Sequence, residues 1–435
     1  MTTTLKSTTG KSYTILKKIA QGGQGAVAKA RCNETGAIVA AKLLNTMSPE
    51  QLRPMKVRLE SIIDVSDKLP PVFVLPREII ESPKLGYVMD FVDDHVPLES
   101  VLSRREINKS LEEYSFSKRV QTCFRLAQGF KELHTRGLCY ADISWSNVLV
   151  NCRTGSAKII DNDNLDGTGR AQANILGTPW FIAPELISQK QSTPCIYTDY
   201  HALATLIYYI LVMDHPLIGD RVAADSQENE EIWLSSKAVF VHDDKDRSNR
   251  SQFGELFNRL PMELRQLFRK SFGPGLIRPT ERVPNGKWMT ALMRTIDEMS
   301  ECSSCGERNF YPESEDMDKC IYCSNGAVHK PMLLSFRHDG RTVRKSVLPG
   351  AKILAHHWQK DAEFDLRKSG FVGVIMVQKG TGYVYKNVST HHQYASYEDE
   401  VHQIGPSRSI LIRPGMEFNF GASRSVTAIV ERPLP

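Results

Sequence analysis

The stretch Cys139-Tyr-Ala-Asp-Ile-Ser-Trp-Ser-Asn147, with Asp161 closing the strand-like run Ala157-Lys-Ile-Ile160, sets an acid, an amide five residues on, and a second acid fourteen further. Alone it implies no more than a turn, because Asp and Asn are common in loops. Upstream, Tyr13-Thr-Ile-Leu-Lys-Lys-Ile-Ala20 reads as a strand that Gln21-Gly22-Gly23-Gln24-Gly25 interrupts before Ala26-Val27-Ala-Lys-Ala30 resumes. A glycine-rich turn between strands lets main-chain amides approach a polyphosphate. No helix pattern follows it, which excludes a dinucleotide-binding loop. After a hairpin at Asn33-Glu-Thr-Gly36, the apolar strand Ile38-Val-Ala40-Ala-Lys42 ends on a charge that needs a partner in a buried cleft. Glu60, eighteen residues on in the amphipathic run 51–65, is preferred over Glu50 and Glu78 as that partner, although its pattern also fits a solvated helix position.

Downstream lies Leu176-Gly-Thr-Pro-Trp-Phe-Ile-Ala-Pro-Glu185, and Thr198-Asp-Tyr200 then opens a helix that is apolar nearly all round from Leu203 to Val212, as a buried central helix would be. Taken in order, these motifs resemble the eukaryotic-like (Hanks-type) protein-kinase fold over about residues 10 to 299. The resemblance implies a bilobal domain at 1–299, with the N-lobe over about 10–90 and the C-lobe over about 91–299. It implies that Asp142 takes the proton of an attacking hydroxyl and that Asn147 and Asp161 hold magnesium or manganese. ATP would lie against Ala20, Gly22, Gly23, Gly25, Val27 and Ala40, with Lys42 on its phosphates, Glu60 steadying Lys42, and Met89 of Gly86-Tyr-Val-Met-Asp-Phe-Val92 at the rear of the adenine pocket. Met89 fits ordinary core packing equally well. Thr178 implies Ser/Thr specificity, and Arg282 stands where the family pairs an arginine with Glu185.

Four departures accompany the match. Alanine, Ala20, replaces the first glycine of the loop, and Tyr140-Ala141 replaces His-Arg before the acid. That arginine normally grips a phosphorylated activation loop, so turnover is expected not to depend on such a switch, with Thr168 the only other hydroxyl before Thr178. Ser144 replaces a lysine aimed at the transferring phosphate, a loss of transition-state stabilisation that small-molecule kinases of this fold also show. Asp161-Asn162-Asp163 replaces Asp-Phe-Gly, removing the usual flip-prone hinge; Asp163 is either a second carboxylate at the metal site or a solvated turn residue.

Beyond residue 299, Cys302-Ser-Ser-Cys305 and Cys320-Ile-Tyr-Cys323 form two knuckles separated by fourteen residues, the spacing of a structural zinc ribbon at 300–328. The other five cysteines (Cys32, Cys123, Cys139, Cys152, Cys195) are scattered singly and read as small apolar residues. From 329 to 435, short alternating runs such as Phe371 to Val377 and Gly382 to Tyr385, separated by turn residues, read as an all-β sandwich. Its rhythm looks like a degenerate forkhead-associated domain, but that family's phosphate-reading signature is missing, so its function does not carry over. Fifteen Lys/Arg stand against nine Asp/Glu there, with seven of the twelve histidines; a solvated basic face is preferred over an acidic partner. The pairs His356-His357 and His391-His392 are not expected to bind metal, because neighbours on a strand face opposite ways.

The 41% hydrophobic and 24% charged content suits soluble globular domains, and a net charge of +5 points to no nucleic-acid partner. The longest apolar run, near Ala202 to Met213, is too short to span a bilayer. Scattered thiols and the lack of an apolar leader give a cytoplasmic expectation. In the polar stretch 220–252, the island Ala238-Val-Phe-Val241 either docks a partner or packs back. The reading is a multidomain α+β chain: a Ser/Thr protein kinase with a four-cysteine zinc ribbon and a β domain. A narrower resemblance is to kinases of bacterial tellurite-resistance-linked systems, which act with a metal-dependent phosphatase and a von Willebrand A-type protein. The rivals are a pseudokinase scaffold acting through its tail, favoured by Ser144, and a small-molecule kinase, favoured by Ser144 and Asp163 but opposed by the Ala183-Pro-Glu185 platform.

Overall fold

The computed structural model describes residues 3–23, 25–102, 107–167, 178–191, 193–226, 229–251, 254–311, 318–323, 326–338, 340–359, 371–380, 382–420 and 426–432. Gln24, Thr168, Leu176 and Gly177 lie outside the described residues. The chain forms two compact units, one of residues 1–114, 122–254 and 266–289, the other of 115–121, 255–265 and 290–435.

The first unit begins with strands β1 (Thr4–Ser7), β2 (Ser12–Gln21), β3 (Gly25–Cys32) and β4 (Ile38–Leu44), helix α1 (Pro49–Val65), and strands β5 (Pro76–Ser82) and β6 (Gly86–Asp90). The strands close into a barrel in the order β1-β2-β3-β4-β6-β5. Because side chains alternate across a strand, β4 serves two cores. Ala41 packs inside the barrel with Leu5, Tyr13, Ala30, Ile80 and Val88. Ala40 and Leu44 pack on the other face with Leu59 of α1, Tyr87 and Met89. Lys42 falls between Ala40 and Leu44 at period two, so it shares their face. Helix α1 starts where Pro49 takes the first turn and Gln51 reaches back to the Ser48 N–H at 3.2 Å.

Strand β7 (Val96–Pro97), helix α2 (Phe116–Thr135) and strands β8 (Leu138–Cys139), β9 (Val148–Asn151), β10 (Ser156–Ile159) and β11 (Asp166–Gly167) follow. Strands β9 and β10 form a hairpin that β7 extends, and β8 pairs with β11. The loops after β8 and after β10 carry the acid-amide-acid residues. Helix α3 (Ile196–Val212) is buried along almost its whole length, as its sequence required. The Ala238–Val241 island packs back: Phe240 and Val241 are buried, and the Phe240 ring stacks on Phe272, 5.5 Å between centroids. Two later helices are α4 (Met262–Phe272) and α5 (Asn285–Asp297). Among the described residues, no helix is long and apolar enough to cross a membrane.

In the second unit, β12 (Ser300–Glu301) pairs with β13 (Arg308–Asn309) beside the cysteine knuckles. Tyr322 anchors this hairpin region, its hydroxyl accepting the Phe116 N–H at 2.7 Å, while Phe310 packs 4.8 Å from the Phe116 ring. The tail adds β14 (Leu333–His338), β15 (Arg341–Ser346), β16 (Lys352–Leu354), β17 (Phe371–Gln378), β18 (Gly382–Asn387), β19 (Gln393–Tyr397), β20 (Glu400–Ile404), β21 (Ser409–Leu411), β22 (Glu417–Asn419) and β23 (Thr427–Glu431). They form two antiparallel sheets, β15-β14-β23-β22-β19-β20 and β16-β17-β18-β21. Leu334, Phe336, Phe418 and Val430 from the first sheet and Ile353, Ile375 and Tyr385 from the second share one core, the arrangement of a sandwich.

Candidate active site

The loop after β8 is held from beneath by Asp199, buried in the first turn of α3. Its two oxygens accept the N–H groups of Tyr140 and Ala141 at 2.8 and 3.0 Å. His134 Nε2 lies 2.9 Å from the same carboxylate. Asn285 Nδ2 donates to His134 Nδ1 at 3.0 Å, which leaves the ring proton on Nε2 for Asp199. Ala141 has φ 67°, a left-handed conformation that costs a non-glycine residue about 1–2 kcal/mol and that these two bonds support. The sequence reading missed this anchor. Its signal was an acid in the first turn of a helix otherwise too apolar to hold one.

Asp142 is thereby aimed into the cleft. Its Oδ1 accepts both the N–H and the hydroxyl of Thr178, each at 2.8 Å, and Oδ2 accepts Asn147 Nδ2 at 2.8 Å. Burial pushes the Asp142 carboxyl above its ordinary pKa, against the lowering pull of Thr178 and Asn147. Because the Asn147 NH2 is committed to Asp142, its oxygen is the end left for a cation. Ser144 is fully buried with its hydroxyl 2.8 Å from that of Ser146, so that position supplies no charge.

Asp161 follows β10 in a left-handed conformation, φ 63° and ψ 48°. Asn162 pins the turn from within by donating to the Val74 carbonyl at 2.9 Å and to the Ile159 carbonyl at 2.7 Å. Lys42 donates to Asp161 and, at 2.9 Å, to Asp163. Burial pushes the Lys42 ammonium down, but Asp163 and Asp161 outweigh it, so its pKa stands above the ordinary value. Two carboxylates facing one ammonium leave spare oxygen lone pairs, a donor set that suits a hard divalent cation beside Asn147.

Glu60 does not join this group. It is exposed on α1, as is Glu50, while Glu78 accepts from Tyr13 Oη at 2.6 Å elsewhere in the barrel. Asp163 is not a solvated turn residue: it is 1% exposed. Gly22 and Gly23 border open space, and their turn closes through Gly22 N–H to the Gly25 carbonyl at 2.9 Å. Gly25 is required for a different reason, since a Cβ there would meet the Leu43 carbonyl oxygen at 2.3 Å. Ala20 pairs with Val27, Val27 with Lys42 and Ala40 with Met89, and Met89 packs in the core.

In the second unit, Cys302 Sγ lies 3.8 Å from Cys323 Sγ, and Cys305 Sγ lies 3.7 Å from Cys320 Sγ. Four thiolates about 2.3 Å from one tetrahedral ion would stand about 3.8 Å apart, so the donor set fits. The N–H groups of Ser304 and Tyr322 point at Cys302 and Cys320 sulfurs, each at 3.4 Å. Asp297, His356 and His357 also converge, because the histidines occupy a 3-10 turn rather than a strand. They do not suit a metal. His357 Nδ1 accepts the Leu354 N–H at 3.0 Å, which puts the proton on the Nε2 that faces Asp297, and Lys345 Nζ already pairs with Asp297 at 2.7 Å. The exposed His391 and His392 belong to no such cluster among the described residues.

The protein kinase domain family matches residues 13–272. The serine/threonine-protein kinase TOS3 of Saccharomyces cerevisiae is 28% identical over 226 residues, 46% of this chain and 40% of that protein. The serine/threonine-protein kinase sid1 of Schizosaccharomyces pombe is 26% identical over 185 residues, 41% of this chain and 36% of that protein. The match thus spans about two fifths of the length of these relatives. Among solved structures, the autoinhibited serine kinase domain of the giant muscle protein titin aligns with a TM-score of 0.49 at 16% identity, over 65% of this chain and 81% of that one. With the family match running over more than half of its residues and carrying the Asp142, Asn147 and Asp161 cleft, the chain belongs to the protein kinase domain family.

Proposed function

We propose that the chain is a protein kinase that transfers the γ-phosphoryl group of ATP to Ser or Thr hydroxyls of a protein. The observation that carries this reading is Asp142 held between Thr178 and Asn147, its carboxylate accepting from both. A hydroxyl entering the cleft would replace the Thr178 hydroxyl as donor, and Asp142 would receive its proton. Lys42 would hold the α- and β-phosphates beneath the turn Gly22, Gly23 and Gly25. Asn147 and Asp161 would hold magnesium, which when bound neutralises charge on the phosphates. The names of the relatives, serine/threonine-protein kinases, support the hydroxyl specificity.

The kinase domain is assigned to 1–299, a zinc ribbon to 300–328 with Cys302, Cys305, Cys320 and Cys323 as ligands, and a β sandwich of forkhead-associated type to 329–435. Zinc here closes its shell with protein ligands and is structural. A cytoplasmic location suits nine cysteines that form no disulfide. A bacterial system with a metal-dependent phosphatase and a von Willebrand A-type protein is the narrower reading of the tail.

The test is incubation with magnesium and γ-labelled ATP, alongside Asp142→Ala and Asp161→Ala. Label on protein that vanishes in both variants is expected. Nucleotide binding without turnover would instead establish the pseudokinase scaffold, which the uncharged Ser144 position favours. Label on small molecules alone would establish a small-molecule kinase.

A further inference from the structure

Lys42 carries a buried ammonium in the cleft, and its partner decides what controls its position. Three glutamates offered themselves in the sequence, and each is placed elsewhere. Glu50 and Glu60 face solvent on α1, and Glu78 is taken up by Tyr13 on β2 and Lys11 in the turn before it. Among the described residues Lys42 forms ion pairs with Asp161 and Asp163, both from the segment after β10.

These two acids are not equivalent. The Asp161 side chain is 31% exposed and is the one assigned to the metal; a cation bound there competes with Lys42 for its oxygens. The Asp163 side chain is 2% exposed and the Lys42 side chain 5%, so neither can exchange its partner for water. Asp163 is delivered by a turn that Asn162 ties to the carbonyls of Val74 and Ile159. Its Oδ2 accepts from Lys42 at 2.9 Å, and its other oxygen, Oδ1, is buried without a hydrogen bond among the described residues.

We propose that Asp163 is the positioning residue for Lys42, holding the ammonium at the phosphate site in place of a helix glutamate, so that nucleotide binding does not depend on where α1 carries Glu60. This rests on the kinase reading of the cleft. Two consequences follow from the geometry. The lysine and its counter-ion reside on β4 and on the metal-binding segment, so the pair is complete whenever that segment is ordered. Movement of α1, which carries no member of the pair, leaves it intact.

The experiment measures ATP affinity by calorimetry with magnesium, together with kcat and KM for ATP, on the full chain and four variants: Asp163→Asn, Glu60→Gln, Lys42→Met, and Lys42→Met with Asp163→Asn. The expected result is that Asp163→Asn weakens ATP binding and raises its KM by about tenfold or more, while Glu60→Gln changes both by less than about twofold. In the Lys42→Met background, Asp163→Asn is expected to add nothing, because a residue that acts through the lysine has nothing left to position. A purely structural role would instead be additive. The double variant replaces both charges by neutral groups of similar size and keeps the comparison open should Asp163→Asn alone fail to fold. An Asp163→Asn protein that binds ATP like the parent, a Glu60→Gln protein that loses as much, or additivity in the double variant overturns the proposal. Absence of ATP binding by the parent chain overturns the kinase reading, and the proposal with it.

Discussion

Arg282 grips Glu185 by two parallel hydrogen bonds, Nη1 to Oε1 at 2.7 Å and Nη2 to Oε2 at 2.6 Å, across 97 residues of chain. Two further donors of the guanidinium are used as well, Nε on the Gly275 carbonyl and Nη1 on that of Tyr197, each at 2.9 Å. The platform that ends in Ala183-Pro184-Glu185 is therefore fastened to the segment between α4 and α5. Arg282→Met strands a buried carboxylate and is expected to destabilise the first unit by about 3–5 kcal/mol, read from the denaturant midpoint. Adding Glu185→Leu should recover part of that loss; a further additive loss would show that the pair is not the cause.

Asp297 plays the corresponding role in the second unit. Burial pushes its pKa up, but Lys345, His357 and His356 outweigh this and hold it well below the usual carboxylate range. Asp297→Asn leaves the Lys345 ammonium buried without its counter-ion, with an expected loss of about 3–5 kcal/mol. Limited proteolysis should then cut within 290–435 well before the first unit is attacked. Unchanged protection would refute the assignment.

His242 makes stability depend on pH. Burial, helped by Arg269 and opposed by Asp244, lowers its pKa from 6.5 to about 4. The unfolded chain takes up the proton near pH 6.5 and the folded one only near 4, so the stabilising contribution is present above pH 6.5 and is lost as pH falls through that window. The loss attributable to this group is on the order of 3 kcal/mol at most. His242→Gln, which keeps a hydrogen-bonding group near Tyr208, should flatten the decline between pH 6.5 and 4 in denaturant melts. An unaltered slope would assign the acid sensitivity to other groups.

Removal of metal should act on the cysteine cluster. Elemental analysis is expected to find about one zinc per chain, and a strong chelator should unfold the 300–328 module. Gly326 offers a finer test, because a Cβ there would lie 2.2 Å from Cys302 Sγ. Gly326→Ala should weaken zinc retention against a competing chelator by about tenfold or more, while Gly286→Ala, on α5 with the nearest atom 4.0 Å from its Cβ position, changes retention much less. Equal retention by both variants would mean that the backbone does not close on the cluster.

The features legible in the sequence are those set by neighbours along the chain. Apolar runs broken by the glycine-rich turn and the Asn33–Gly36 hairpin mark β2 to β4, the all-apolar run marks α3, and knuckle spacing marks the cysteine cluster, since each depends on residues a few positions apart. Lys42 meets Asp161, and Asp142 meets Asn147. Asp199 and His134 are not legible in sequence, because a buried acid beneath a loop looks there like any residue in the first turn of a helix. Spacing from Lys42 favours Glu60 on an amphipathic helix, but hydrophobic period alone cannot tell which edge of the stripe turns inward. A strand at 356–357 would turn the two histidines to opposite faces, whereas a 3-10 turn brings both rings to Asp297.

By itself the sequence determined the order of the elements and the chemistry available: one lysine at the end of a strand, an acid-amide-acid set on two loops, four thiols in two knuckles. These follow from local propensity and spacing, which act over a turn or a strand. Only the tertiary structure decided which charges meet. Lys42 and Asp163 are 121 residues apart, and their pairing at 2.9 Å exists because β4 and the turn after β10 are packed together with water excluded. Burial of a charge compels a counter-ion but does not say which; the choice belongs to the packed chain.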